Sequence, residues 1–219
     1  MNSQLHSQSQ QSSPPTILKT GGIVLCGGRS SRMGRPKAWL PFAGEFMLSR
    51  VVRVLGGVVG PVVVVAAPGQ DVPPLPNGAE IVRDAEDGRG PLQGLVAGLD
   101  ALADRVEAVY LSACDVPFLA PEHVGRLVVL LGDYDACVPE IGGHQHPLAA
   151  VYRVSVRTAA IRLLAAGQGR ARSLAETVRT RFVGPAGLAD VDPQFQSLRN
   201  LNTLAEYEAA VQALGTGTK

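Results

Sequence analysis

The chain is poor in lysine and cysteine, and both shortages limit the kinds of site and partner that it can have. Its three cysteines are scattered and form no C-x-x-C pair or Cys/His cluster, which argues against a zinc site and indicates a reducing compartment. Lysine occurs only three times, so arginine carries most of the positive charge. The net charge of +1 gives no bulk attraction to nucleic acid or to a membrane surface, and we expect neither as a partner.

The chain also lacks the patterns of a membrane segment and a secretory leader. No stretch reaches the ~18 apolar residues that a transmembrane helix needs, and no basic region precedes an apolar run near the start. Residues 1–16 are rich in Ser and Gln, so they cannot bury enough apolar surface to fold. We expect a disordered tail over 1–16, a single domain over 17–214 and a cytoplasmic location.

Patterns typical of buried strands alternate with patterns typical of helices, which predicts an α/β fold with a mostly parallel sheet. The ligand site of such a sheet lies beyond the carboxyl ends of its strands. The region 139–200 is less regular and predicts a small β-arm or cap that begins with a tight turn at 141–144. Strands are expected over 21–26, 61–67, 79–82, 106–112, 135–138, 147–152 and 180–183, and helices over 46–55, 91–103, 121–131, 154–166, 172–178 and 203–214.

A glycine-rich loop follows the first predicted strand and ends on Lys37. Glycines let the backbone adopt positive φ and approach a ligand closely, backbone N–H groups in such a loop form an anion site, and three arginines and Lys37 add cations. Neither common phosphate loop fits, because Gly34 is not followed by Lys-Ser/Thr and the glycines lack the Gly-x-Gly-x-x-Gly spacing. The loop still predicts binding of nucleotide phosphates, against the alternative of a turn with solvated arginines.

The loop resembles the signature L-x-G-G-x-S-x-R-M-G-x-x-K of molybdenum cofactor guanylyltransferases, a family that joins GMP from GTP to molybdopterin. Every position of the signature is filled, by Leu25, Gly27, Gly28, Ser30, Arg32, Met33, Gly34 and Lys37. Related cytidylyltransferases carry Ala-Ala-Gly where this chain has Cys26-Gly27-Gly28, so the glycine pair favours guanine. The resemblance implies a three-layer, Rossmann-like nucleotidyltransferase fold with a mostly parallel sheet and a small β-arm.

The resemblance also assigns roles within the loop. Lys37 would contact the phosphates and stabilise charge as pyrophosphate leaves, and Arg32 would assist it, because such a transfer depends on positioning and electrostatic stabilisation. The nucleotide would further be bound by the residues where the strand passes into the loop, namely Leu25, Cys26, Gly27 and Gly28.

Two aspartates follow predicted strands. Asp115 stands directly after a buried strand, where a carboxylate suits Mg²⁺, which prefers carboxylate oxygens, waters and substrate phosphates; a helix N-cap or turn aspartate is the alternative. It is similar to the aspartate of the family's D-x-P element, which implies a catalytic and metal-binding role. Asp84 precedes a segment at 90–94 that resembles the family's G-P-L-x-G. This implies nucleotide contacts for Asp84, with Asp87 as the alternative, and for Gly94 beside the base.

Two asparagines near the closing helix, Asn200 and Asn202, stand at alternate positions of an extended segment and so face the same side. Their amides both donate and accept, which suits a pterin or a phosphate, while capping of the closing helix, by Asn202 or Thr203, is the alternative. They resemble the family's N-x-N-T element, although the proline that commonly follows is replaced by Leu204.

Two further residues are linked to the second substrate by the resemblance. His146 precedes a proline and is similar to the histidine of a His-Pro element in the family, with a turn histidine as the alternative. Arg170, preferred over Arg172, would meet the molybdopterin phosphate, whose geometry suits arginine. The asparagine that the family often shows after its second strand is absent from 65–68, so one base or ribose contact is missing or moved.

For the remaining histidines and two aromatic residues the sequence predicts a structural position but no role in a functional site. His6, His123 and His144 have no partner pattern and are expected at the surface or in turns. Trp39 and Phe42 are expected to pack the return of the glycine loop onto the core.

The sequence therefore predicts transfer of GMP from GTP to molybdenum-loaded molybdopterin, with Mg²⁺ as the cofactor. The alternatives are a molybdopterin cytidylyltransferase of the same fold and a non-catalytic nucleotide-binding assembly factor. Sugar-1-phosphate nucleotidyltransferases share the fold, but their sugar pockets are larger than the short C-terminal third suggests. GTP and molybdopterin are the implied partners, with molybdoenzymes or cofactor chaperones as further candidates.

Overall fold

Strands and helices alternate along the part of the chain that the computed structural model describes, residues 18–27, 36–76, 78–84 and 88–216. The strands are β1 (Thr20–Leu25), β2 (Pro41–Phe42), β3 (Glu45–Phe46), β4 (Val62–Ala66), β5 (Glu80–Arg83), β6 (Ala108–Ala113), β7 (Ala136–Ile141), β8 (His144–Gln145), β9 (Ala149–Arg153) and β10 (Thr180–Val183). The helices are α1 (Met47–Gly56), α2 (Pro91–Leu102), α3 (Pro121–Leu131), α4 (Arg157–Ala165), α5 (Ala171–Thr177) and α6 (Leu204–Thr216). Within these ranges no helix is long and apolar enough to cross a membrane.

Eight strands form the central sheet, in the order β10-β7-β9-β6-β1-β4-β5, with β8 paired to β7. β1 lies parallel to both of its neighbours, β4 and β6, and β4–β5 and β7–β10 are also parallel. Only β9 on this path runs antiparallel to its neighbours. The predicted α/β fold with a mostly parallel sheet is confirmed.

Helices cover both faces of the sheet, which gives the three layers that the resemblance implied. Alternate residues of β1 and β4 point to opposite faces, so that Val24 packs with α1 and α3 on one side and Ile23 packs with α2, α4 and α5 on the other. Because β4 is buried on both faces, its sequence is a continuous apolar run. A smaller cluster around Leu40, Phe42 and Leu201 joins the β2–β3 hairpin to α6.

The β-arm is smaller than the region 139–200 suggested, because β9 and β10 both belong to the central sheet. Only the β7–β8 hairpin, closed by the predicted turn at 142–143, extends from it. The expected return strand over 147–152 forms β9 but begins two residues later, at Ala149, and the strand that closes the hairpin with β7 is the separate β8. Pro147 has no N–H to donate to a strand ladder, and the chain breaks its pairing at this residue.

His123 contradicts the expectation of a surface or turn position. It lies on the inner face of α3 and is fully buried, and its Nδ1 lies 3.2 Å from Oδ2 of Asp192. Burial lowers the pKa of His123, against the opposing effect of Asp192. The sequence offers no signal for this pair, because Asp192 is 69 residues away along the chain. Phe42 is buried as predicted, whereas Trp39 keeps 36% of its surface exposed.

The close approach of α2 to β1 depends on glycine at position 98. A Cβ at Gly98 would lie 2.7 Å from Cδ1 of the buried Ile23, whereas a Cβ at Gly125 on α3 would come no nearer than 4.0 Å to another side chain. We expect Gly98→Ala to lower the free energy of unfolding by about 1–2 kcal/mol, since overpacking exceeds the gain in helix propensity. Gly125→Ala should raise it by up to about 1 kcal/mol. Urea unfolding of both variants checks the prediction, and a stabilised Gly98→Ala would contradict it.

Candidate functional site

The candidate site lies along one edge of the sheet, where the parallel strands β1, β4, β5 and β6 reach their carboxyl ends. Cys26 and Gly27 follow β1, Asp84 follows β5, and Asp115 lies two residues beyond β6. Asp84 is three strands away from Asp115, which at a spacing of about 4.8 Å corresponds to about 14 Å. The edge can therefore hold an extended ligand with Asp115 near one end and Asp84 near the other.

An ion pair between Lys37 and Asp115 lies at the β6 end of this edge. The Nζ of Lys37 lies 2.7 Å from Oδ2 of Asp115, and the two side chains keep 17% and 11% of their surface exposed. Lys37 begins a short 3₁₀ turn where the chain returns from the glycine loop, and the backbone carbonyl of Asp115 accepts a hydrogen bond from the N–H of Leu201. The pair is therefore largely shielded from bulk water.

Two amides from the C-terminal segment complete the group. Asn200 donates from Nδ2 to Oδ1 of Asp115 at 2.7 Å, and Oδ1 of Asn202 accepts from Nζ of Lys37 at 3.0 Å. We call these four residues, Lys37, Asp115, Asn200 and Asn202, the Lys37–Asp115 cluster. The structure thus brings together four site residues that are up to 165 positions apart in the sequence.

The alternative capping roles of these residues do not apply. Thr203 caps α6, since its Oγ1 accepts from the N–H of Glu206 while the Glu206 carboxylate accepts from the N–H groups of Asn202 and Thr203. Because the cap uses only the backbone N–H of Asn202, its side chain can accept the hydrogen bond from Lys37. Helix α3 begins after Ala120 with no side-chain cap, so Asp115 is not a helix cap either.

Gln70 is a residue of this edge that the sequence analysis missed. Its Nε2 donates to the carbonyl of Cys26 at 3.0 Å, and its Oε1 accepts from the N–H of Ala67 at 3.0 Å. Arg83 in turn holds the carbonyl of Gln70 at 2.6 Å. The Pro68-Gly69 dipeptide was the sequence signal that could have revealed this contact. It forms a turn, in which Gly69 has φ of +69°, and the turn reverses the chain beside the end of β4. A carboxamide therefore stands at this strand end although 65–68 contains no asparagine.

Two thiols lie next to each other at the start of the site. Cys26 follows β1 and Cys114 follows β6, and both are buried. Interaction with Cys114 is the largest influence on the pKa of Cys26 and lowers it, and a hydrogen bond from Gln70 acts in the same direction. Interaction with Cys26 and burial together raise the pKa of Cys114 well above its usual range.

Asp84 has a buried carboxylate oxygen at the end of β5. Its backbone N–H extends the sheet by donating to Ala66, while its Oδ1 is shielded from solvent and has no hydrogen-bond partner among the described residues. A buried acceptor without a donor is costly, so a ligand that donates to Asp84 would remove that cost.

The start of α2 contains Gly94 and contacts the loop that carries Arg170. Gly94 is buried, and a Cβ there would lie 2.9 Å from Cδ2 of Leu25, so its lack of a side chain allows α2 to approach β1. The N–H of Leu92 donates to Gly169 at 3.0 Å, which seats the loop before α5 on the first turn of α2. Arg170 is exposed on that loop. The hydrogen bonds of the described residues do not link it to the Lys37–Asp115 cluster.

A cavity of about 210 Å³ opens beside the cluster on the β9 side. Asn200 belongs both to its wall and to the cluster, and His146 faces it from the break between β8 and β9. Burial, and to a smaller extent the neighbouring His144, lowers the pKa of His146. The residues that line the cavity are Val116, Gln145, His146, Pro147, Leu148, Ala149, Leu198 and Asn200.

Gly28, which the sequence analysis assigned to the nucleotide, and Arg32, which it assigned to the transfer step, lie outside the described residues, as does Asp87, the alternative to Asp84. Of the other predicted site residues, the structure brings Lys37, Asp115, Asn200 and Asn202 into one cluster. Their roles toward ligands remain predictions.

Comparison with known proteins gives concordant family matches. The family model described as a MobA-like NTP transferase domain matches residues 22–181. Proteins named probable molybdenum cofactor guanylyltransferase from Mycobacterium avium (strain 104) and from Mycobacterium tuberculosis (strain H37Rv) are each 36% identical, over 200 and 203 residues. The alignments cover 90% of this chain in both cases, and 97% and 96% of the two relatives.

Solved structures share the fold at lower identity. Molybdopterin-guanine dinucleotide biosynthesis protein A from Archaeoglobus fulgidus superposes with a TM-score of 0.73 at 21% identity, covering 90% of this chain and 99% of the other. Rv0371c from M. tuberculosis H37Rv, solved in complex with manganese, superposes with a TM-score of 0.63 at 14% identity, covering 89% and 99%.

Proposed function

The chain belongs to the family of MobA-like NTP transferase domains, and on that premise we propose that it transfers GMP from GTP to molybdenum-loaded molybdopterin and releases pyrophosphate. The observation that carries this proposal is the Lys37–Asp115 cluster, which sits where the glycine loop returns to the sheet. The related guanylyltransferases of mycobacteria support the choice of substrates.

The reaction is a displacement at the α-phosphate of GTP. An oxygen of the molybdopterin phosphate forms the new P–O bond, and the bond between the α-phosphorus and the bridging oxygen breaks, so that pyrophosphate leaves with the electron pair. The attacking phosphate is already an anion, so the site needs no strong general base. It needs cations and N–H groups placed where negative charge develops.

Lys37 meets that need because it is held before the substrate arrives. Asp115 and Asn202 fix its ammonium from two directions, at 2.7 and 3.0 Å. A charge that is already oriented does not have to reorganise during the reaction, which is the condition under which electrostatic stabilisation is strongest.

Asp115 is the residue that would hold Mg²⁺. It contributes one carboxylate at the carboxyl edge of the sheet. This fits Mg²⁺, which keeps several waters and is bound through one or two carboxylates together with substrate phosphates. Bound there, the ion would polarise a phosphate oxygen and offset its charge. The manganese complex of the structurally similar Rv0371c is consistent with a divalent ion in this fold.

The two substrates would occupy opposite parts of the edge. We place the nucleotide over β1, β4 and β5, with the base near Asp84, whose Oδ1 has no partner in the described part of the chain and would accept from an N–H of guanine. We place molybdopterin in the cavity lined by His146 and Asn200. Because Asn200 donates to Asp115 and also lines the cavity, the acceptor would lie next to the phosphate-binding residues. Arg170 stays our prediction for the terminal phosphate of the pterin.

The test is pyrophosphate release with molybdenum-loaded molybdopterin and Mg²⁺, comparing GTP, CTP, ATP and UTP, with the dinucleotide product identified by mass spectrometry. We expect release with GTP at a kcat/KM at least about tenfold above that with any other nucleotide, which corresponds to about 1.4 kcal/mol of discrimination. A preference for CTP would instead identify a cytidylyltransferase. Nucleotide binding without release would identify a non-catalytic factor.

Asn202 and Thr203 are neighbours with separable roles. Thr203→Ala removes the cap of α6 and should lower the free energy of unfolding by about 1 kcal/mol while nucleotidyl transfer is retained. Asn202→Ala removes a contact to Lys37 but leaves the cap, so we expect a loss of kcat/KM of about tenfold with little change in stability. Urea unfolding and steady-state kinetics on both variants measure the two effects. The reverse pattern would show that Asn202 is structural.

A further inference from the structure

Cys26 and Cys114 stand side by side on two neighbouring strands. The parallel register of β1 and β6 ends with Leu25 opposite Ala113, and the N–H of Cys114 donates to the carbonyl of Leu25 at 3.0 Å. The two cysteines are thus the next residues in register. Strands in a sheet are about 4.8 Å apart, which falls within the range of about 4.4–6.8 Å that separates the Cα atoms of disulfide-bonded cysteines.

The two thiols also point the same way. Residues in register on neighbouring strands face the same side of a sheet, and Cys26 and Cys114 pack in the same core cluster, on the side of α1 and α3. The third cysteine, Cys137, lies on β7, whose neighbour β9 places Val151 opposite it. The chain therefore has one pair of cysteines with the geometry of a disulfide and one buried cysteine that can serve as an internal control.

Exposure distinguishes the pair from Cys137. Cys26 and Cys114 keep 5% and 8% of their surface exposed at the carboxyl edge, whereas Cys137 has none. A small oxidant that enters the cleft would meet the pair first. Cysteines oxidised reversibly in reducing compartments characteristically stand next to a second thiol that resolves the oxidised form.

We propose that Cys26 and Cys114 form a reversible dithiol–disulfide pair that switches off the nucleotidyltransferase site when the cell is exposed to peroxide. The thiol of Cys26 attacks hydrogen peroxide, which gives a sulfenic acid and one water. The thiol of Cys114 then attacks that sulfur, the S–O bond breaks, and the disulfide and a second water form. Two thiols lose two electrons to one peroxide, and a dithiol reductant reverses the change.

The disulfide would affect the site because each cysteine is linked to a residue at the carboxyl edge of the sheet. Cys26 is the first residue after β1 and its carbonyl is held by Gln70, while Cys114 directly precedes Asp115. A disulfide fixes the Cβ atoms at about 3.8 Å from each other, so it would tie the two strand ends together and move the residues that follow them. A displacement of about 1 Å near reacting groups can cost about 100-fold in rate. The effect on activity rests on the proposed function, whereas formation of the bond does not.

The bond is tested by oxidising the wild-type protein with hydrogen peroxide, denaturing it and alkylating the remaining thiols. The chain has three free cysteines, so we expect three alkyl groups on the reduced protein and one after oxidation, with Cys26 and Cys114 joined in the non-reduced peptide map. Dithiothreitol should restore all three. Three alkylated thiols after oxidation, or a bond that involves Cys137, would overturn the proposal.

The switch is tested on the same samples through two readouts, GTP affinity by calorimetry and pyrophosphate release. Oxidation of the wild type and of Cys137→Ala should weaken at least one of them by about tenfold or more, reversibly with dithiothreitol, whereas Cys26→Ala, which lacks the attacking thiol, should give the same values before and after peroxide. A disulfide that leaves both readouts unchanged overturns the switch. A reduced protein that binds GTP but releases no pyrophosphate contradicts the proposed function alone, and affinity still tests the switch.

Discussion

Replacing Lys37 by alanine is expected to lower kcat/KM for nucleotidyl transfer by about 100- to 1000-fold, which is the usual effect of removing one preorganised group at a developing charge. The ammonium of Lys37 is the positive charge that the structure fixes between Asp115 and Asn202. Steady-state pyrophosphate release measures the loss. Lys37→Met, which keeps much of the aliphatic stem, should lose a similar amount, because the effect comes from the charge and not from packing.

Lys19 is the matched control for this variant. It is exposed and precedes β1, at the opposite edge of the sheet from the candidate site. Lys19 makes its hydrogen bonds with Glu107 through its own backbone N–H and carbonyl, so alanine at position 19 retains them. Lys19→Ala should therefore keep wild-type activity. A Lys37→Ala enzyme that keeps more than half of the wild-type kcat/KM, or a Lys19→Ala enzyme that loses as much as Lys37→Ala, would contradict the assignment.

Asp115→Asn is expected to lower kcat/KM by about 100-fold or more. Asparagine has nearly the same shape, and its oxygen can still accept from Asn200, but it carries no charge for Lys37 or for a divalent ion. Activity measured against Mg²⁺ concentration should show a weaker dependence on the ion, with half-maximal activity at a higher concentration than in the wild type. A circular dichroism spectrum like that of the wild type would confirm that the fold is retained.

Asp190→Asn is the control for loss of a paired carboxylate. Asp190 forms an ion pair with Arg126, but its side chain keeps 61% of its surface exposed, and such surface pairs contribute little to stability. We expect its kinetics and Mg²⁺ dependence to match the wild type. Full activity of Asp115→Asn at every Mg²⁺ concentration would remove Asp115 from both of its proposed roles.

The placement of Lys37 and Asp115 at one edge of the sheet was predictable for a physical reason. Parallel strands deliver the residues that follow them to a single edge, so a lysine after β1 and an aspartate after β6 were both expected there. The asparagines required the family resemblance, because their position depends on how the C-terminal segment crosses that edge. The structure adds the detail that Thr203 caps α6, which the sequence left open between two residues.

Features that depend on contacts between distant segments could not be predicted in this way. Gln70 reaches Cys26 only because the turn at Gly69 reverses the chain. The burial of His123 follows from a loop that brings Asp192 against α3, and a lone histidine on an amphipathic helix carries no mark of such a partner. The extent of the sheet was underestimated because β10 joins β7 across two helices, a pairing that periodicity does not reveal.

The most direct test of the proposed reaction follows the phosphorus atoms of GTP. With molybdenum-loaded molybdopterin and Mg²⁺, GTP labelled at the α-phosphate should transfer its label to the pterin dinucleotide in a one-to-one ratio with pyrophosphate, and GTP labelled at the γ-phosphate should place its label only in pyrophosphate. The Lys37→Ala enzyme should show neither at the wild-type rate. Label from the γ-phosphate in the pterin product, or release of inorganic phosphate in place of pyrophosphate, would contradict attack at the α-phosphate and with it the proposed function.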